Sequence, residues 1–247
     1  ILVSIIFTIM ANTFDNEAVF GKNPNSTEPT VEAPKQVRDF TVYDADGNTV
    51  VTDGVLLKQD GAYYISNKAG MFWFANEVNV NGNSFAGKTV KLANDIDLQN
   101  AAWTPVGQTG ATTFNGVFDG QNHTISNLKH HGTEEDCYVG LFGYTENATI
   151  KNLTIENNVS YIERIVNYNT NGTLTLENVK IVNAEGCKLN YAVNLPASSD
   201  NAKVVIKDSE IWANANALNL WGENTVANIS RSKLYIVDSN KIEGYSV

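Results

Sequence analysis

A seven-residue phrase recurs through the second half of this chain, and it limits the architecture more than any other feature. It reads Thr124-Ile125-Ser126-Asn127-Leu128-Lys129-His130, then Thr149-Ile150-Lys151-Asn152-Leu153-Thr154-Ile155, then Thr175-Leu176-Glu177-Asn178-Val179-Lys180-Ile181. Looser copies begin at Val205 and Asn228, so the anchors Ile125, Ile150, Leu176, Ile206 and Ile229 stand 25, 26, 30 and 23 residues apart. A period of that length marks a chain that stacks coil upon coil. A second series keeps step with it, with Leu141, Val166, Val193 and Leu218 separated by 25, 27 and 25 residues. Each coil therefore carries at least two short strands of alternating apolar residues, separated by Asn and Gly turn signals. One coil cannot bury its own apolar side, but a neighbour about 4.8 Å away covers it and completes its backbone hydrogen bonds. The expected fold is all-β, a right-handed parallel β-helix.

Strand parity then assigns the faces. With Ile150 and Leu153 inward, Lys151 and Thr154 point outward. The outward ladders become Ser126, Lys151, Glu177, Lys207, Ser230 and Lys129, Thr154, Lys180, Glu210, Lys233. Opposite charges alternate wherever charges adjoin, which favours one register at roughly 0–1 kcal/mol per exposed pair. Asn167, Asn194 and Asn219 recur at intervals of 27 and 25 residues and are expected to stack their amides between coils. Asn127, Asn152 and Asn178 read as turn residues tolerant of left-handed backbone.

Three regions precede or form this stack. Residues 1–36 hold an apolar, β-branched strand, Ile1–Met10, and a Pro-, Asn- and Thr-rich linker, and they can belong to a preceding β domain. The stretch Ile1–Met10 resembles the apolar part of a signal peptide, but at ten residues it is too short to span a bilayer as a helix, and no transmembrane helix is expected. Residues 37–65 read as a small β cap or connector, with hairpin turns at "DADGN" and "KQDG". Residues 66–247 form the β-helix, opened by a capping helix in which Ser66 or Asn67 is the N-cap and Met71, Phe74, Ala75 and Val78 share one face.

The 247 residues carry a net charge of -10 and a pI near 4.7, a balance that disfavours nucleic-acid backbones and anionic membranes as partners. Cys137 and Cys187 fall on coils two apart, about 9.6 Å along the axis, beyond the span of a disulfide. Two free thiols are expected.

Between about Tyr64 and Asn158 stand "GKTVKLANDIDL" (Gly87 to Leu98), "WTPVG" (Trp103 to Gly107), "FNGVFDGQNHTISNL" (Phe114 to Leu128) and "VGLFGYTENATIKNLTI" (Val139 to Ile155). In this order they resemble a family of bacterial cell-surface β-helix proteins, many from gut Bacteroidetes, that carry the GLUG motif. The resemblance covers about 95 residues. It implies a pectin-lyase-like right-handed β-helix, export to the cell surface or outer membrane, and adhesion rather than catalysis. The N-terminal strand and linker are similar to segments that follow a fimbrillin-type or immunoglobulin-like domain in such adhesins.

The residues themselves point the same way about chemistry. Pectate-lyase-like catalysis needs a carboxylate calcium site beside a basic residue, and the only arginines of the coils are Arg164 and Arg231, neither beside an acidic cluster. Glycoside hydrolysis needs paired carboxylates at facing positions, and "NTD", an Asp pair and "GHG" are absent. His123 belongs to a structural phrase, and His130-His131 has no ligand set around it. Asp44-Ala45-Asp46-Gly47-Asn48 reads as a hairpin turn rather than a calcium loop, since the later bidentate Glu is missing. Asp95, Asp97 and Asp119 read as turn-bonding residues. No catalytic residue, metal or cofactor is assigned.

The leading function is a non-catalytic, exported adhesin whose partner is a glycan or a protein surface. A polysaccharide-active lyase or hydrolase is the alternative, and so is a subunit of a fimbria-like assembly in which residues 1–10 pair with another domain or chain. The candidate ligand-binding residues are Trp212 and Tyr235. Parity turns Ile211 inward and Trp212 outward, and the next coil places Tyr235 beside it, so two aromatics are expected side by side on the outer wall.

Overall fold

The computed structural model of this chain describes residues 42–43, 49–50, 54–58, 60–130, 140–157, 162–167, 172–183, 187 and 189–236. The strand expected at Ile1–Met10, the linker at Asn12–Lys35, and Cys137 and His131 lie outside them. Strands β1 (Val42–Tyr43) and β2 (Thr49–Val50) pair antiparallel, as do β3 (Val55–Leu57) and β4 (Tyr63–Ile65). The expected "KQDG" turn lies between β3 and β4, where Gly61 N donates to Lys58 O at 2.9 Å, and the "DADGN" stretch lies outside the described residues.

From β4 onward the pairing is parallel. One long sheet runs through β4, β5 (Thr89–Leu92), β8 (Val117–Ser126), β10 (Thr149–Asn157), β12 (Thr173–Asn183), β14 (Lys203–Lys207) and β17 (Val226–Ser230). Its strands bend midway. Beyond the bend, β6 (Ile96–Asp97) pairs with the second half of β8, and β15 (Glu210–Ala213) and β18 (Lys233–Ile236) continue from the second half of β12. A further sheet joins β11 (Ile162–Asn167), β13 (Leu189–Leu195) and β16 (Asn216–Leu220), while β7 (Ala102–Trp103) pairs with β9 (Lys129–His130). A coil therefore holds three strand positions, and the chain is a parallel β-helix as its repeat requires.

The core is the column of inward side chains. Phe118, Ile150, Leu176 and Ile206 lie in register and are fully buried. Burial of each such side chain is worth roughly 1.5–3 kcal/mol. Ile229 comes next in register but is 42% exposed, because no described strand lies beyond β17.

The register corrects the first copy of the repeat. Ile150 faces Phe118, and Ile125 faces Ile155, so the anchor one coil before Ile150 is Phe118 rather than Ile125. A register shift between Lys151 and Leu153 absorbs the extra residues around Gln121 and Asn122, both at positive φ. The second series shifts by one residue, since Phe142 rather than Leu141 bridges Val166 and Val106. From Val166 through Val193 to Leu218 it runs as expected. The phrase misleads because it encodes a strand ending at a left-handed Asn. Asn127, at φ 54°, meets that description at a different corner from Asn152.

That corner repeats through the stack. Asn152, Asn178, Asp208 and Arg231 have φ of 50°, 52°, 49° and 48°. Asn tolerates this region because its short polar side chain can bond locally. Here the amides also link coils, with Asn178 Nδ2 donating to Asn152 Oδ1 at 3.0 Å and Asn152 Nδ2 to Asp119 Oδ1 at 3.0 Å. Arg231 sits in the same backbone region and forks onto Asp208, with Nε at 2.6 Å and Nη2 at 2.8 Å.

Helix α1 (Lys68–Asn79) begins at Asn67, whose Oδ1 accepts from Gly70 N at 3.1 Å. Met71, Phe74, Ala75 and Val78 are buried on one face. Phe74 stacks on Phe118 and meets Phe85, Phe114 and Phe142 edge-on, so the helix covers the aromatic core of the first coils. Its last turn also ties down the "WTPVG" stretch, where Asn79 Oδ1 accepts from Gly107 N and Gln108 N while Asn79 Nδ2 donates to Pro105 O. No described helix is long and apolar enough to cross a membrane.

Outward charges alternate along the wall. Lys91, Asp119, Lys151, Glu177 and Lys207 follow one another in register, with Asp119 in the place expected for Ser126. The second ladder runs Thr124, Thr154, Lys180, Glu210 and Lys233, with Thr124 in the place expected for Lys129. Asp119 is 5% exposed. Burial pushes its carboxyl pKa up, but hydrogen bonds from Asn152 and Gln121, with Lys151 Nζ 3.6 Å away, bring the net shift below the usual carboxylate range.

Two predictions follow from this construction. Asp60, Asp95, Asp97, Asp119 and Asp208 are all shifted downward. Their stabilisation is complete above the unfolded carboxyl pKa of about 3.9 and is lost as pH falls through the lower folded values. Melting temperature followed by circular dichroism should hold steady near neutrality and drop below about pH 4, with a shallower drop in Asp119→Asn. At Gly107, φ is +81° and an added Cβ would lie 2.1 Å from Tyr144 O. Gly107→Ala should cost at least about 1–3 kcal/mol in chemical denaturation, and an unchanged midpoint would show that this close approach is not required.

Candidate binding surface on the outer wall

The structure brings the two sequence-predicted residues together. Trp212 and Tyr235 are register partners of β15 and β18, beside buried Ile211 and its partner Leu234. Their ring centroids are 3.9 Å apart and the planes differ by 20°. Parallel strands lie about 4.8 Å apart, so the rings lean together more closely than their backbones. Trp212 Nε1 donates to Glu210 Oε1 at 2.8 Å, tying the indole to the charged ladder that runs beside it.

This contact changes what the pair can do. Side by side on a wall, two rings could have offered a broad flat platform. Stacked on each other, each covers one face of its partner. Both residues are half-buried, so part of each ring is open to solvent.

The sequence reading did not single out Trp221, which immediately follows β16. It is 62% exposed, against 4% for Trp73 and 1% for Trp103. The available signal was its place in the second series, because it comes directly after Leu220, the register partner of Leu195, where the coil turns.

The other polar candidates are committed to structure. Asp95 Oδ1 accepts from Thr124 N at 2.8 Å and lies 3.1 Å from His123 Nδ1, and the Thr124 N–H is the main cause of its lowered pKa. Asp97 Oδ1 accepts from Asn127 Nδ2 at 2.7 Å and from Gln99 N at 2.7 Å. Asp119 lies on the Lys91–Lys151 ladder, in register with neither of these residues. The turn-bonding reading of all three therefore matches their contacts. Among the described residues, no group of three or more His, Cys, Asp or Glu side chains could hold a metal ion. Cys187 is a free thiol. Asn219 Nδ2 donates to buried Asn194 Oδ1 at 2.6 Å, which is the expected amide contact between two coils, and Asn167 is the register partner of Asn194 on the coil before.

The fold defines the class as a parallel β-helix. Comparison of the chain with protein-family models, with curated proteins and with solved structures finds no match.

If the aromatic stack contributes to stability, a double-mutant cycle of Trp212→Ala and Tyr235→Ala should show a coupling of about 0.5–1.5 kcal/mol in chemical denaturation. Strictly additive losses would mean that the rings adjoin without interacting.

Proposed function

We propose that this protein is a non-catalytic, exported bacterial surface protein whose rigid β-helix presents a binding face to a glycan or to a host or partner surface. The observation that carries this reading is the Trp212–Tyr235 pair. It stands on the outer wall beside the Lys180–Glu210–Lys233 ladder, on strands held by parallel pairing on the coil beneath. Aromatic rings fixed in this way lose little entropy on binding and offer CH–π contact to a sugar or a snug edge to an apolar side chain. The ordered resemblance from Gly87 to Ile155 to GLUG-motif surface proteins supports export and adhesion, and the acidic balance disfavours nucleic acid.

The test is a glycan array together with turnover assays on uronate-containing and neutral polysaccharides, with and without calcium. Binding without turnover is expected, weakened about tenfold or more in the Trp212→Ala/Tyr235→Ala double variant. Sustained turnover would replace this reading with a polysaccharide-active enzyme.

A further inference from the structure

The corner that follows β16 is built more rigidly than a connecting loop requires. Trp221 N donates to Leu195 O at 2.9 Å, Glu223 N to Asp200 Oδ1 at 2.7 Å, and Asn201 N to Glu223 O at 2.7 Å. Asn224 Nδ2 reaches Asn201 Oδ1 at 3.3 Å, and Thr225 Oγ1 closes the turn onto Gly222 O at 3.0 Å. Asn201 and Asn224 are both left-handed, at φ 59° and 56°. At Gly222 the two corners approach so closely that an added Cβ would lie 2.4 Å from Ser199 O. Two successive corners thus form one platform.

On that platform stands Trp221, the most exposed aromatic side chain among the described residues. Its ring is 62% open, and no described strand lies beyond β16 to cover it. Beside it in sequence, Glu223 is exposed, and no hydrogen bond or ion pair engages its carboxylate among the described residues. Asp200 lies opposite, using Oδ1 for the Glu223 N–H. The corner therefore holds a flat π surface, the Glu223 carboxylate, the second oxygen of Asp200 and the Asn201 and Asn224 amides, and the next cation along the chain is Lys203, in register with Val226.

That chemistry selects among ligands. The two carboxylates repel uronate and sialate groups, whereas sugar hydroxyls donate to carboxylates and the apolar face of a pyranose stacks on an indole. We infer that the Trp221 corner, with Asp200 and Glu223, is a binding site for uncharged hexose chains. This inference rests on the surface-binding reading above and narrows its ligand class at a second place on the coil.

The experiment is isothermal titration of the full chain with neutral hexose oligosaccharides and with oligogalacturonate, for the native protein and for Trp221→Ala, Trp221→Phe and Asp200→Asn/Glu223→Gln. Native protein should bind the neutral chains and prefer them to the acidic ones. Trp221→Ala should weaken neutral binding about tenfold or more with an unchanged melting temperature, and Trp221→Phe should recover part of the loss. Asp200→Asn/Glu223→Gln should reduce the preference against oligogalacturonate. Native-like neutral binding by Trp221→Ala, or a native preference for the acidic chains, overturns the site. If Trp212→Ala/Tyr235→Ala loses binding while Trp221→Ala does not, this inference falls and the surface-binding function stands. No binding of any glycan or surface ligand by the native chain overturns both.

Discussion

Parallel hydrogen bonding between successive coils is the constraint on which the rest of this molecule depends. An isolated coil would leave one apolar side wet and half its backbone groups unpaired, and both costs vanish only when a second coil lies in register about 4.8 Å away. The chain must then turn at the same point in every coil. Asn152, Asn178, Asp208 and Arg231 do this with nearly the same left-handed backbone angle, so the bend stacks as regularly as the strands do. Where the corner residue is Asn, its amide also bonds the coil below. Where it is Arg, the guanidinium forks onto the Asp that occupies the corner beneath.

Stacking in register brings side chains at equivalent positions into contact along the axis. This explains why the outer wall reads as complementary pairs: Lys on Asp, Lys on Glu, Trp on Tyr, and inside the stack Asn on Asn. Such pairs secure the register, and in doing so they use up part of each group's capacity to bind something else. The Trp212–Tyr235 stack shows this directly, since the faces that meet each other cannot meet a ligand. Corners escape the constraint in part. Their backbones are fixed by the coil below, and Trp221, after the last strand of its sheet, has no described coil above it to stack on.

The proposed function follows from this division of labour. A rigid wall positions binding groups without an entropy cost at the moment of contact, and a corner supplies chemistry that stacking does not consume. The charge pattern agrees with it, because a chain with a net charge of -10 is better matched to hydroxyl-rich partners than to anionic ones.

Much of this fold is legible in the residues alone. The period, the inward and outward parity, the charge alternation, the Asn67 cap and the turn between β3 and β4 are local or periodic properties, and a parallel β-helix is the arrangement that satisfies them together. Pairing Trp212 with Tyr235 needed only the 23-residue step between Ile206 and Ile229. What the tertiary structure decided is which copy of a repeated phrase lies on which. A strand ending in a left-handed Asn can occupy several corners, so Ile125 resembles Ile150 in text, while Phe118, stacked on Phe74 and edge-on to Phe142, occupies the register. The same holds for the aromatics outside. Sequence parity placed Trp212 and Tyr235 side by side, but their stacking and the exposure of Trp221 depend on side-chain torsions and on the approach of neighbouring coils, which exist only once the chain has folded.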